Sequence, residues 1–354
     1  MIDQKIFIVS ADPNAKGGVS SVIQAIIKSD FYGPRTKFFH PYKDGNKLSK
    51  TLNACIVWGV FFFSCVLSKP DYVHIHSSSR NSFRRKSFFM LVCRWLRIQY
   101  ILQLHSGDFV SFFHEASNNW QTSITHFMYD AKVVVAVSSR SKNELIKEFS
   151  LQDCRVIPNF SASIPEVFLT QQAASEKFSS PILSFMGDIA DYKGFEDAVK
   201  VVKTARLIFP HLTLACAGKM NKQYFDKILN KHKAQDFVQY NGYITGDEKI
   251  CFLGKALFLL SPSYSETFGM SNLEAASVGT PVLAYDVGGV SSVVTSGKSG
   301  YLAALGCWKD LANYLCEATK NESIYFAFQK STAHDIKSKF SVDKIENLYQ
   351  NLYK

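Results

Sequence analysis

The sequence SPSYSETFGMSNLE, from Ser261 to Glu274, follows a short apolar run and leads into a helix that Gly279 is suited to end. A second apolar run, 281–284, comes directly after that helix. Strand, loop, helix and strand in this order form the unit of a parallel α/β sheet, and ligands bind in the loops after such strands. A helix beginning at Ser271 presents unpaired N–H groups at the positive end of its dipole, so the stretch predicts an anion-binding loop.

Two carboxylates of this stretch, Glu266 and Glu274, are eight residues apart and can face one pocket. Each also has a simpler interpretation. Ser271 and Glu274 have the spacing of a capping box, in which the glutamate only ties down the start of its own helix. Glu266 can equally be a solvated loop residue. Paired carboxylates are also typical of glycoside hydrolases, but that chemistry depends on a separation in space that the sequence does not define.

Short apolar runs alternate with amphipathic stretches along the rest of the chain, a pattern typical of βαβ units. The runs that predict strands are 5–9, 72–75, 100–104, 133–137, 182–186, 212–217, 237–240, 256–260 and 281–284. The stretches that predict helices in the first half are 18–28, 48–67, 84–96, 122–129 and 141–149. The polar stretch 161–181 interrupts this alternation and is expected to be a linker.

This organisation predicts two α/β domains, residues 1–165 and 175–335, each a doubly wound sheet. A last helix, about 342–353, follows with Ser341 as its cap and an acidic residue in its first turn. We expect the segment 340–354 to pack back on the first domain.

Composition narrows the class of protein. The 354 residues are 47% hydrophobic and 14% aromatic, which excludes intrinsic disorder. The net charge of +10 favours anionic partners, namely phosphate groups, nucleic acid or an acidic membrane surface. None of the eight cysteines forms a C-x-x-C pair, so we expect free buried thiols in a reducing compartment. The N-terminal residues 1–9 resemble a first strand rather than a signal peptide.

Two stretches of the first half bear on membranes. The uncharged stretch 52–67 has 16 residues, fewer than the roughly 20 that span a bilayer, and we expect a buried core helix or, alternatively, a helix at the membrane interface. The stretch 80–97 contains no acid and interleaves aromatic residues with basic ones. It predicts a basic helix on an anionic membrane surface, the alternative being a core helix with a solvated face. The basic residues are Arg80, Arg84, Arg85, Lys86, Arg94 and Arg97.

The sequence from Glu266 to Ala276 resembles the E-x7-E signature of retaining glycosyltransferases of family 4, which have the GT-B fold of two Rossmann-like domains facing a cleft. Further motifs match the family in the same order along nearly the whole chain. They are Gly17-Gly18-Val19, His105, Val137-Ser138-Ser139, Val156-Ile157-Pro158-Asn159, Phe185-Met186-Gly187, Lys193-Gly194-Phe195, Gly279-Thr280-Pro281-Val282 and Gly288-Gly289.

The resemblance implies a role for each matching residue. Glu274 would hold the ribose hydroxyls of a nucleotide donor, Glu266 the hydroxyls of the donor sugar, and Lys193 the diphosphate. The remaining donor contacts would come from Gly17, Gly18, Gly187 and the backbone N–H groups of Phe268, Gly269 and Met270. His105 would contact the sugar or the acceptor. Without the resemblance, His105 would be an ordinary structural histidine, as we expect for His74 and His76, and Lys193 a solvated lysine.

The chain departs from the family at Asp188, because the family usually has arginine directly after the matching glycine. An anion beside a diphosphate is unfavourable, so we expect Asp188 to point away, with Lys219 as the candidate for the missing charge. No D-x-D triplet follows a strand, so no metal or other cofactor is predicted.

The implied activity is transfer of a sugar from a nucleotide-diphosphate donor with retention of configuration. A UDP-sugar is favoured, with GDP-mannose as an alternative. The motifs HIHSS (74–78) and QLHSG (103–107) resemble the family branch that builds bacterial capsule, O-antigen or exopolysaccharide on polyprenyl-diphosphate-linked acceptors. That branch implies a cytoplasmic enzyme, peripheral on the inner face of the plasma membrane, and no nucleic-acid partner. Two alternatives remain: a nucleotide-sugar epimerase of related fold, and a non-catalytic nucleotide-sugar or glycan-binding protein.

Overall fold

The computed structural model describes residues 2–15, 17–29, 31–43, 46–160 and 166–354. The chain divides into two compact units: unit 1 comprises Met1–Ala162 and Val342–Lys354, and unit 2 comprises Ser163–Ser341. Two of the predicted domain limits, residues 1 and 165, lie outside the described residues. The same holds for the first part of the predicted linker, residues 161–165.

Unit 1 contains a six-stranded parallel sheet in the order β2-β1-β3-β4-β5-β6. Its strands are β1 (Ile6–Ala11), β2 (Lys37–Tyr42), β3 (Tyr72–Ser77), β4 (Tyr100–Leu104), β5 (Val133–Ala136) and β6 (Cys154–Val156). Its helices before the polar stretch are α1 (Gly18–Lys28), α2 (Lys47–Ser68), α3 (Arg80–Leu96), α4 (Phe109–His114), α5 (Asn118–Asp130) and α6 (Ser139–Phe149). The strand order reverses next to β1, which places the ligand-binding edge of a doubly wound sheet there.

Unit 2 contains a second six-stranded parallel sheet in the order β12-β11-β10-β7-β8-β9. Its strands are β7 (Ile182–Met186), β8 (Thr213–Ala217), β9 (Val238–Tyr240), β10 (Phe258–Ser261), β11 (Val282–Tyr285) and β12 (Gly300–Ala303). Its helices are α7 (Gln171–Ser179), α8 (Phe195–Ala205), α9 (Lys222–His232), α10 (Gly246–Gly254), α11 (Met270–Ser277), α12 (Val290–Val293), α13 (Trp308–Ala318) and α14 (Glu322–Phe340). This is the 3-2-1-4-5-6 order of nucleotide-binding sheets, with its switch point between β7 and β10.

The last helix, α15 (Val342–Gln350), belongs to unit 1, where two tyrosines fix the C-terminal segment to the sheet. The hydroxyl of Tyr353 lies 2.5 Å from Nδ1 of His74, and the hydroxyl of Tyr349 donates to Oε1 of Gln103 at 3.2 Å. All four residues are buried, so the C-terminal segment completes the core of unit 1.

Three strands that the apolar pattern did not predict, β2, β6 and β12, all lie at the edge of their sheet. An edge strand is covered on fewer sides, so it needs no continuous apolar run, and β2 even contains Pro41. The predicted linker is also partly wrong, because α7 forms within it. Thr170 caps this helix by accepting a hydrogen bond from the N–H of Ala173, and Ala174 is fully buried.

The expectation of a buried core helix in the first half is wrong. Helix α2 buries only Ala54, Phe61 and Cys65 between residues 51 and 68, and most of its other apolar side chains are exposed. By length and composition alone, the stretch Leu48–Ser68 is sufficient to cross a membrane, a property that some core helices and signal sequences share.

The assignment of Lys86 to a basic membrane surface is also wrong. Lys86 points into unit 1, where its ammonium donates to Oγ of Ser82 at 3.2 Å, and only 4% of the residue is exposed. Burial, together with the charge of Arg85, lowers the pKa of Lys86 to about 7. The guanidinium of Arg85 lies over the ring of Tyr42, whereas Arg84, Arg94 and Arg97 are exposed.

The eight cysteines are all free thiols. The expectation that they are buried holds for Cys65, Cys93, Cys154 and Cys216. It is wrong for Cys55, Cys251 and Cys307, which lie at the surface, and Cys316 is half-buried.

Candidate active site

The carboxyl ends of β7 and β10 bring together two of the predicted site residues of unit 2. Lys193 ends a short 3₁₀ turn after β7, and Glu266 lies in the loop after β10. Gly194 allows the two loops to touch: its φ is +70°, and a Cβ at this position would lie 1.8 Å from the carbonyl oxygen of Pro262. Only glycine allows so close an approach of the two loops, which explains why a glycine follows Lys193 in this chain.

Lys193 and Glu266 form an ion pair, with Nζ 2.6 Å from Oε2 and side chains 22% and 17% exposed. The backbone N–H of Thr267 donates to the other carboxylate oxygen of Glu266 at 3.2 Å. Both side chains are largely shielded from solvent, so their mutual attraction is stronger than that of a pair in open water.

Glu274 has a different partner from the one that the capping box predicts. Helix α11 begins at Met270 with Gly269 as its N-cap, so Glu274 lies beyond the first helical turn and that interpretation is wrong. Its Oε1 lies 2.5 Å from Nζ of Lys249, in α10. No motif surrounds Lys249 in the sequence, and only the fold brings α10 beside α11.

The start of α11 offers backbone N–H groups and no side-chain cap. Phe268 is buried with its ring against Phe340, 5.8 Å between centroids, so the backbone at 268–270 is held in place by the core. Gly269 has a φ of +84°, and a Cβ there would lie 2.5 Å from Nδ2 of Asn272. The amide of Asn272 is fully buried and has no hydrogen-bond partner within the described part of the chain.

Gly187 and Gly218 follow the neighbouring strands β7 and β8 with their backbones in contact. A Cβ on Gly218 would lie 1.8 Å from the carbonyl oxygen of Gly187, whereas a Cβ on Gly187 would meet nothing within 4 Å. Asp188, which replaces the family arginine, accepts a hydrogen bond of 2.7 Å from the hydroxyl of Tyr192. Lys219 is exposed after β8.

A buried carboxylate that no sequence motif marks, Asp197, supports the loop that carries Glu266. Oδ2 of Asp197 accepts hydrogen bonds from the hydroxyls of Tyr264 at 2.7 Å and Tyr285 at 2.8 Å. Nζ of Lys200 donates to Oδ1 of the same residue at 2.9 Å. The hydrogen bond to Asp197 raises the pKa of Tyr264 to about 12. Asp197 therefore ties α8 to the loops after β10 and to β11.

The predicted site residues of unit 1 are Gly17, Gly18 and His105. Gly17 is exposed at the N-cap of α1 with a φ of +142°, and Gly18 is the first residue of that helix. His105 follows β4 with Nε2 3.0 Å from Nδ1 of His76, whose ring stacks on that of His74 at 4.4 Å.

The imidazole of His105 is neutral near physiological pH. Burial, with a contribution from the charge of Lys86, lowers its pKa to about 3. Burial lowers the pKa of His74 to about 3 as well, and that of His76 also falls well below its usual value. His105 can therefore take part in hydrogen bonds but does not supply a positive charge.

The fold of the chain is similar to that of solved structures. A crystal structure of Anabaena HepE in complex with UDP-glucose is similar to the chain, with a TM-score of 0.75 and 15% sequence identity over 99% of each chain. This similarity shows the GT-B fold, to which the two parallel sheets belong.

Residues 13–160 match the family described as Glycosyltransferase Family 4, and residues 169–335 match Glycosyl transferases group 1. The chain thus carries a family 4 and a group 1 glycosyltransferase domain, and it is an enzyme of the hexosyltransferase type. These matches favour a glycosyltransferase over the two alternatives, an epimerase and a non-catalytic binding protein.

Two relatives illustrate the range of the similarity. The 2-deoxystreptamine N-acetyl-D-glucosaminyltransferase of Niallia circulans is 25% identical over 299 residues, which cover 80% of this chain and 76% of the relative. An uncharacterized 41.2 kDa protein in the cps region of Klebsiella pneumoniae is 27% identical over 172 residues, covering 48% of this chain and 45% of the relative.

Proposed function

We propose that this chain is a retaining glycosyltransferase that takes a sugar from a nucleotide-diphosphate donor, favoured to be a UDP-sugar. The observation that carries this proposal is the ion pair of Lys193 with Glu266 at the switch point of the unit 2 sheet. Glu266 lies in the loop after β10, and Glu274 lies in α11, the helix that follows this loop. Both glutamates of the E-x7-E pattern therefore belong to the segment that leaves the carboxyl end of β10. The UDP-glucose complex of HepE supports this choice of donor.

In this proposal the donor diphosphate takes the place of the Glu266 carboxylate beside Lys193. Negative charge grows on the leaving diphosphate as the glycosidic bond breaks, and a fixed cation stabilises that charge most in the transition state. The released carboxylate of Glu266 accepts hydrogen bonds from the sugar hydroxyls, and Glu274 binds the ribose hydroxyls. The N–H groups of residues 268–270 provide further donors at the helix start.

The remaining predicted residues have supporting roles. Gly187 leaves room for a phosphate beside β7, and Lys219 adds positive charge after β8. In unit 1, the proposed donor contacts are Gly17 and Gly18, and the neutral imidazole of His105 is proposed to hydrogen-bond the sugar or the acceptor. Lys193 supplies the cation, so we propose that no metal cofactor is required.

The proposed acceptor is a glycan linked to polyprenyl diphosphate, in capsule, O-antigen or exopolysaccharide synthesis. The relative in the cps region of Klebsiella pneumoniae supports this assignment, as do the 74–78 and 103–107 motifs. We propose a cytoplasmic enzyme, peripheral on the inner face of the plasma membrane, in contact with anionic lipids through Arg84, Arg85, Arg94 and Arg97.

Thermal-shift screening against nucleotide sugars, followed by mass spectrometry of lipid-linked products, tests this proposal. We expect a UDP-sugar to raise the melting temperature of the wild-type chain and of Lys222→Ala, a control that changes an exposed lysine of α9. Lys193→Ala and Glu266→Ala should each lose at least tenfold in product formation. Unchanged product formation in both variants would refute the proposed roles.

A further inference from the structure

Helix α2 has two faces of opposite character. At about 100° per residue, Leu48, Leu52, Ile56, Val60, Phe63 and Leu67 fall within an arc of roughly 120°. All of them are exposed, up to 63% for Phe63 and 84% for Leu67. The buried residues Ala54, Phe61 and Cys65 lie on the opposite side. The outward side of α2 is therefore apolar over most of its length, which is unusual for a helix facing water.

Helix α3 continues this apolar surface. The ring of Trp58 stacks on that of Phe88 at 4.9 Å, and Phe62 stacks on Trp95 at 5.7 Å with planes 13° apart. Trp95 is nevertheless 71% exposed, and Leu91, one turn earlier on α3, is 50% exposed. We name these outward residues of both helices the apolar face: Leu48, Leu52, Ile56, Val60, Phe63, Leu67, Leu91 and Trp95.

The charges carried by α2 and α3 themselves all have one sign. Neither α2 nor α3 contains an aspartate or glutamate. Exposed or half-buried basic residues at the two helices are Lys50, Lys69, Arg80, Arg84, Arg85, Arg94 and Arg97. Arg80 forms ion pairs with Glu115 at 2.7 Å and with Asp108 at 3.6 Å, and Arg94 forms one with Asp130 of α5 at 3.5 Å. An apolar strip with basic residues and an aromatic ring at its edge matches the interface of an anionic bilayer.

We propose that the apolar face inserts into the boundary between headgroups and acyl chains of an anionic bilayer, with α2 lying in the membrane plane. This goes beyond the proposed arginine contacts of α3, because lipid burial by α2 becomes the main source of attachment. This inference rests on the proposed function only for the choice of membrane, which is the one that carries the lipid-linked acceptor.

Two other arrangements of α2 fit less well. Spanning the bilayer would remove Phe61 from its edge-on contacts with Phe39 and Phe89, and would break the hydrogen bond from Asn53 to the carbonyl of His40. A symmetric contact with a second copy would bring the basic residues of both copies together without an acid on either helix to pair with them.

Co-sedimentation with vesicles of 70% phosphatidylcholine and 30% phosphatidylglycerol tests the proposal on the full chain. We expect Leu52→Gln/Val60→Gln/Phe63→Gln/Leu67→Gln to lower the partition coefficient at least tenfold at both low and high salt. Leu207→Gln/Ile208→Gln, which removes two exposed apolar residues of unit 2, is the matched control and should bind as wild type. Arg84→Glu/Arg97→Glu should weaken binding at low salt only.

Quenching by brominated lipid distinguishes insertion from surface adsorption. Bound wild-type chain should lose fluorescence, and Trp95→Phe should lose most of that quenching while sedimenting within twofold of wild type. The proposal would be overturned if the fourfold glutamine variant bound vesicles as well as the wild-type chain does. It would also be overturned if the wild-type chain were a dimer and the variant a monomer, with equal binding to vesicles. UDP-sugar binding by the same variants reports separately on the active site and should not change.

Discussion

Nζ of Lys193 lies 2.6 Å from Oε2 of Glu266, although the two residues are 73 positions apart in the chain. Each follows a different strand, β7 or β10, and the switch point of the sheet makes them neighbours. In the chain without donor, the cation proposed for the diphosphate and the carboxylate proposed for the sugar therefore neutralise each other. In the proposed function, the donor diphosphate replaces the carboxylate beside Lys193 and frees Glu266 for the sugar.

Removing either partner of this pair should affect the transition state more than the binding of substrate. For Lys193→Met we expect kcat to fall by about 10² to 10³ with a smaller change in KM, because a preorganised contact to a developing anion contributes that much in comparable sites. Glu266→Gln should lower kcat/KM by at least tenfold. Steady-state kinetics with the donor found in the screen measures both, with Lys222→Ala as the control. A loss below tenfold in Lys193→Met would assign the lysine to structure alone.

The contact between Lys249 and Glu274 should govern donor affinity. Glu274→Gln is expected to raise the donor KM about tenfold with kcat nearly unchanged, since a ribose contact is made equally in the ground and transition states. Lys249→Met should raise KM as well, because Glu274 then loses the partner that orients its carboxylate. The double variant should lose less than the sum of the two changes in binding free energy. If the two changes in binding free energy simply add in the double variant, Lys249 and Glu274 act independently on the donor.

Gly218→Ala should destabilise unit 2. The residue has a φ of +144°, and an added Cβ would lie 1.8 Å from the carbonyl oxygen of Gly187. Strain of this kind costs about 1–3 kcal/mol of unfolding free energy. Gly59→Ala is the matched control: a Cβ at this position in α2 meets nothing within 4 Å, so the change should stabilise the helix by up to about 1 kcal/mol. Urea unfolding of both variants measures the difference, and equal midpoints would contradict it.

Unit 1 should become less stable as the pH falls from 7.5 to 5.5. Burial lowers the pKa of His74 and of His105 from 6.5 to about 3, so only the unfolded chain takes up protons on these residues in that range. Stability is therefore complete above about pH 6.5 and is lost as the pH falls toward 3. The loss by pH 5.5 is about 1.4 kcal/mol for each histidine.

Urea unfolding at both pH values, followed by tryptophan fluorescence in a Trp308→Phe background, measures this loss in unit 1. His74→Gln should reduce the pH dependence, whereas His211→Gln, which changes an exposed histidine, should leave it as in wild type. A pH-independent midpoint in the wild-type chain would show that the histidine row is charged or solvated.

The apolar pattern was a good guide where strands are covered on both faces, as in β4 and β7, whose predicted bounds are those of the structure. It missed three of the four edge strands, β2, β6 and β12, because a short or alternating strand such as β12 buries too little to stand out. The pattern also predicted that α2 is buried and that Lys86 lies at the surface, and both predictions are wrong. Composition indicates that a stretch is apolar or basic, but tertiary packing decides which side faces water.

The site divides in the same way. Lys193, Glu266 and Glu274 stand in motifs with fixed spacing, so the sequence alone marks them as candidates. Lys249 and Asp197 act through contacts across the fold, 25 and 67 positions from Glu274 and Tyr264. Nothing local distinguishes them from solvated residues, so only the structure reveals these partners.

The anomeric configuration of the product tests the central proposal most directly. Purified chain, an α-linked UDP-sugar selected by thermal shift and a polyprenyl-diphosphate-linked acceptor would be incubated with EDTA, and the product analysed by mass spectrometry and NMR. We predict a single α-linked addition of one sugar, undiminished by EDTA and lost at least tenfold in Glu266→Ala. A β-linked product, or donor turnover without any transfer to the acceptor, would contradict a retaining glycosyltransferase acting at this site.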